Sequence, residues 1–116
     1  MKDERLSQRI EIELPAKLCF QAQPNAWTKA TIINISTNGF CFRTEAKFND
    51  LLNEKPIVRL QIAIAKKESV ELVVQVVWAG KTSSYHCLAG GEIPSPSGPD
   101  YEKILEFYTK LLRERL

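Results

Sequence analysis

Two arginines stand four positions apart near the start of the chain, in the run Arg5-Leu6-Ser7-Gln8-Arg9. Further along comes Asn34-Ile35-Ser36-Thr37-Asn38-Gly39. The two segments read R-x-x-x-R and N-x-S-x-x-G. A guanidinium carries a rigid fork of donors that matches a phosphate or the O6/N7 edge of guanine. At this spacing both arginines point the same way, in a helical turn or in extended chain, where about 13 Å separates them. Asn34 and Ser36 share one face of a strand, about 7 Å apart along it. Gly39 follows, where a missing side chain lets a ligand come close to the backbone. These types suit reversible capture of an anionic, guanine-containing ligand. Each segment also has a plainer reading: the arginines as a solvated face, and residues 34–39 as a hairpin turn shaped by Ser and Asn with Gly at positive φ.

Nothing comparable points to catalysis. There is no nucleophile–base pair, metal-ligand cluster or phosphate-binding Gly-rich loop. Cys19, Cys41 and Cys87 lie far apart without zinc spacing, and read as small buried residues in a reducing compartment. His86 is the single histidine, in a strand-like segment with no acid or serine arranged around it, and reads as structural or surface. The net charge of +2 is too small to argue for a nucleic-acid protein. No apolar run approaches a membrane span, and Met1-Lys2-Asp3-Glu4-Arg5 lacks the apolar stretch of a signal peptide. A cytoplasmic protein is expected, with no membrane insertion.

The elements that must position the two segments come from hydrophobic periodicity. A length of 116 residues fits one domain, and 44% hydrophobic against 26% charged is enough to bury a core without disulfides or metal. Residues 1–9 are polar and predict a flexible arm. From Ile10 the chain alternates, with Ile10, Ile12, Leu14, Ala16, Leu18 and Phe20 on one face, which predicts a strand. Pro15 lacks a donor and predicts an unpaired side or a bulge. Further strands are predicted over 27–36, 40–44, 57–65, 69–79 and 85–93. Ile33 and Ile35 are expected in the core, as are Val70, Leu72, Val74, Val76 and Trp78. Residues 47–56 predict a polar loop with a helical turn near Asp50. Asp100 is expected to cap a helix over 100–116 whose stripe is Tyr101, Ile104, Leu105, Tyr108, Leu111 and Leu112. That stripe suits packing on the sheet or contact with a partner. Short connections favour an all-β fold with a C-terminal helix: a six-stranded antiparallel β-barrel over 10–116.

With the motifs in this order on such a barrel, the sequence resembles the PilZ domain family, whose members bind the bacterial second messenger cyclic di-GMP. Val76-Val77-Trp78 resembles the family's apolar strand ending in Trp, and Gly90-Gly91-Glu92-Ile93 its closing strand. The resemblance runs from about Arg5 into the C-terminal helix. It implies that Arg5 and Arg9, on the arm, clamp phosphates and guanine Hoogsteen edges. It implies that Asn34 bonds the other guanine, that Ser36 contacts the ligand or holds the loop, and that Gly39 keeps the turn tight. The arm then orders on binding, and the signal passes to a protein partner. Gly91 stands where an apolar residue is common, which predicts a looser last strand. With the pair so near the start, no upstream domain for the arm to reorient is expected.

The expectation is therefore a stand-alone PilZ-type receptor, monomer or homodimer, with cyclic di-GMP as ligand and no cofactor or metal. The alternative is a barrel of the same shape that binds no nucleotide and acts through protein contacts alone. A barrel for single-stranded nucleic acid is disfavoured because Phe40, Phe42 and Trp78 are expected inside.

Overall fold

The computed structural model describes residues 9–115. Six strands form: β1 (Ile10–Phe20), β2 (Trp27–Ile35), β3 (Gly39–Glu45), β4 (Ile57–Ala65), β5 (Glu68–Lys81) and β6 (His86–Glu92). They close in the order β1-β2-β3-β6-β5-β4, all neighbours antiparallel. The closing seam pairs residues 16–20 of β1 with 58–62 of β4. Pro15 lies just outside that seam, so its missing N–H leaves no rung unmade there. A 3₁₀ turn (Ala46–Phe48) and a short helix α1 (Asn49–Asn53) fill the β3–β4 connection, and α2 (Pro99–Glu114) follows the barrel.

Alternation fills the interior with Leu18, Ile32, Phe42, Leu60, Ile62, Val70, Val74 and Val76, all essentially inaccessible. Burying each such side chain stabilises the fold by about 1.5–3 kcal/mol. All three cysteines are free and buried, and His86 is exposed. The core cluster also takes in Leu52 from α1 and Ile104 and Tyr108 from α2. The α2 stripe is turned slightly from the expected one: Tyr101, Phe107, Leu111 and Leu112 pack against the core, while Leu105 lies at the margin.

Three corrections follow from the backbone. Asp100 does not cap α2. Gly98, at φ 99°, is the residue before the helix, and the Asp100 carboxylate instead accepts the Glu71 amide of β5 at 2.9 Å. It moors the helix to the barrel rather than ending its hydrogen-bond ladder. Gly39 and Asn38 do not adopt positive φ. Gly39 is required by close approach, because a Cβ there would run into the carbonyl oxygen of Gly91. Gly91 does not loosen β6 either. It pairs with Phe40 and with Val76, and Val74 Cγ1 occupies the space a side chain would need.

Candidate nucleotide pocket

Two β-bulges build the candidate site. The β2–β3 register slips between Ile32 and Asn34, leaving Ile33 as an extra residue. The β5–β6 register slips between Val76 and Trp78, leaving Val77 extra. A bulge reverses the inside–outside phase of everything after it. Ile32 and Ile35 therefore enter the core and Ile33 does not. Trp78 turns outward for the same reason and is 41% exposed, against the expectation that it is buried.

The register then aligns one row across four strands on the outer face: Asn34 of β2, Cys41 of β3, Gly90 of β6 and Trp78 of β5. The next row on that face begins with Gly39 and Glu92. The result is a floor of small residues (Gly39, Cys41, Gly90) between an amide on one side and an indole on the other. A Cβ on Gly90 would collide with Trp78 Nε1, so the ring rests against the bare backbone.

Arg9 immediately precedes β1, whose Ile10 pairs with Ile35 of β2. That pairing brings Arg9 beside Asn34 and Ser36, and all three line one hollow of about 250 Å³ with Gly39, Trp78 and Glu92. The charge of Arg9 is felt at the floor: burial pushes the Cys41 thiol up, and the Arg9 guanidinium pulls it part of the way back. Ser36 holds the loop. Its amide donates to the Gly39 carbonyl at 3.0 Å, and its hydroxyl donates to Asn38 Oδ1 at 3.1 Å. The loop is also tied outward. The Ile93 amide donates to the Asn38 carbonyl at 2.9 Å, and the Tyr101 hydroxyl of α2 donates to the Thr37 carbonyl at 3.5 Å.

Of the residues singled out in the sequence, Arg9, Asn34, Ser36 and Gly39 meet in this hollow, and Arg5 lies outside the described residues. Trp78, Gly90 and Glu92 were not assigned to it from sequence. The signal that could have found Trp78 is Gly90: a glycine inside a strand marks a close approach. Larger hollows lie elsewhere, among them one of about 610 Å³ between β5 and the start of α2 that holds no motif residue. Another of about 810 Å³ runs between α2 and the β4–β5 hairpin, and one of about 690 Å³ lies over β1 and β2. These last two are open surface grooves of mixed charge, and neither gathers a motif residue. Among the described residues, no group of three or more His, Cys, Asp or Glu could hold a metal ion, and no helix is long and apolar enough to cross a membrane.

A closed six-stranded barrel with one C-terminal helix is the architecture of a known class of small domains. The PilZ domain model matches residues 3–110, and the chain belongs to the PilZ domain family. Its fold is similar to that of the Bacillus subtilis inhibitor of motility MotI/DgrA, at 13% identity and TM-score 0.73, over 95% of this chain and 51% of that one. It is similar to K. pneumonia MrkH in its apo state, at 15% identity and TM-score 0.72, over 99% of this chain and 53% of that one. It is also similar to Borreliella burgdorferi PlzA in complex with c-di-GMP, at 13% identity and TM-score 0.58, over 93% and 52%. The chain thus spans about half the length of each of these proteins. No curated protein sequence matches it.

Proposed function

We propose that this chain is a receptor for cyclic di-GMP that hands the signal to a protein partner. The observation that supports it is the convergence of Arg9, Asn34, Ser36 and Gly39 on one hollow, walled by the half-exposed indole of Trp78. Each wall has a matching part of the ligand. Arg9 pairs with a phosphate or a guanine Hoogsteen edge through charge-assisted bonds. Trp78 offers a face on which a base can stack. Asn34 supplies a donor and an acceptor at the pocket edge, Ser36 keeps the loop in shape, and the glycines let the ligand approach the backbone. A volume of about 250 Å³ is small beside the roughly 300–1,000 Å³ of common ligand pockets. It suits one base and its phosphate, and leaves the rest of the ligand to be covered by the segment carrying Arg5. Ordering that segment is then the event a partner reads.

Titration calorimetry with cyclic di-GMP tests this, on the wild type and on Arg9→Ala. Loss of Arg9 removes two or more charge-assisted contacts and weakens binding by several kcal/mol. A thermal shift with saturating ligand must accompany binding by mass action. Absence of both heat and shift returns the chain to the alternative, a barrel acting through protein contacts alone.

A further inference from the structure

We infer that Glu92 reads the hydrogen-bond donor edge of the bound guanine and selects guanine over adenine; this rests on the receptor reading above. Glu92 lies two residues from Gly90 on β6, so its side chain leaves from the same outer face as the pocket floor, and it lines the hollow with Arg9 and Trp78. Its two cross-strand neighbours do not engage it. Gly39 has no side chain. Gln75 spends its amide on backbone carbonyls, donating to Lys55 at 2.7 Å and Val76 at 3.2 Å. Among the described residues the Glu92 carboxylate has neither an ion-pair nor a hydrogen-bond partner.

A carboxylate on the wall of an anion pocket is unfavourable unless the ligand brings donors to it. An ionised carboxylate is acceptor-only, with two oxygens that can take two donors side by side. Guanine presents N1–H and the N2 amino group in that arrangement. Adenine places the N1 lone pair where guanine has N1–H, and has no 2-amino group. The carboxylate therefore gains two charge-assisted bonds from one base and meets a lone pair on the other. With the Hoogsteen edge given to an arginine and the adjoining Watson–Crick donors to Glu92, two edges of the base are held while Trp78 covers one face.

The test is calorimetric titration of the full chain, wild type and Glu92→Gln, with cyclic di-GMP and cyclic di-AMP. Glutamine keeps the shape but replaces one acceptor oxygen by an amino donor. The expected result is wild-type selectivity for cyclic di-GMP, and in the variant a loss of about tenfold or more in cyclic di-GMP affinity with cyclic di-AMP no weaker than before. Wild type binding both nucleotides alike overturns the role of Glu92 and leaves the receptor reading intact. Unchanged selectivity in the variant, or tighter cyclic di-GMP binding from simple relief of repulsion, overturns it equally. Wild type binding neither nucleotide overturns both. Circular dichroism of the variant shows that the barrel is retained, as an exposed position allows.

Discussion

The indole of Trp78 rests on the backbone of Gly90, its Nε1 occupying the place a β-carbon would take. The contact exists because Val77 is bulged out, which turns the following residue toward solvent opposite a glycine. One methyl group separates this arrangement from another. Gly90→Ala pushes the ring off the pocket wall, and since Trp78 is half-exposed the ring has somewhere to go. The expected outcome is a shift in tryptophan emission and weaker cyclic di-GMP binding, with a melting temperature close to wild type. Unchanged binding with a displaced indole would remove Trp78 from the ligand site.

Gly91 gives the opposite result one residue away. A Cβ there meets Val74 Cγ1 inside the barrel, where nothing can yield. Gly91→Ala should cost about 1–3 kcal/mol and lower the melting temperature by several degrees. Gly80→Ala serves as the control, because a Cβ at that position has no neighbour within 4 Å. Equal melting curves for the two variants would contradict the packing described for β5 and β6.

Stability should fall in mild alkali. Burial raises the Cys41 and Cys87 thiols and the Tyr108 phenol. Below about pH 8.5, where an unfolded thiol is still protonated, their contribution is fully present. As pH rises further, the unfolded chain releases protons that the folded chain retains, so stability declines until the folded groups ionise too. Thermal melts in reductant at about pH 7.5 and 9.5 check the sign. A melting temperature that holds or climbs over that interval contradicts it.

The strands were legible in the sequence because period-two alternation survives burial on one face only. Leu18, Leu60, Ile62 and Val74 fall inside as that pattern requires. Alternation fails where a strand carries an extra residue, and the two extra residues nearest the pocket, Ile33 and Val77, are as apolar as their neighbours. Nothing in Ile32-Ile33 or Val76-Val77-Trp78 marks the slip. That is why Ile33 was expected inside and Trp78 with it, and why the argument against base stacking from a buried Trp78 does not stand. The motif residues were legible for a different reason. Their chemistry is local, and the short β2–β3 turn holds Asn34, Ser36 and Gly39 together whatever the phase of the sheet. Asp100 was misread because helix capping and mooring to a neighbouring strand use the same acceptor in the same first turn.

Tyr101 and Thr37 lie 64 positions apart in the chain, yet a hydroxyl joins them, and Ile93 grips the adjacent carbonyl of Asn38. The turn beside the pocket is thus the same mechanical body as the root of the last helix. If that turn yields by an ångström, these bonds break or the root of the helix follows. On the receptor reading proposed above, a protein seated on that helix would feel what happens at the pocket without ever meeting the nucleotide.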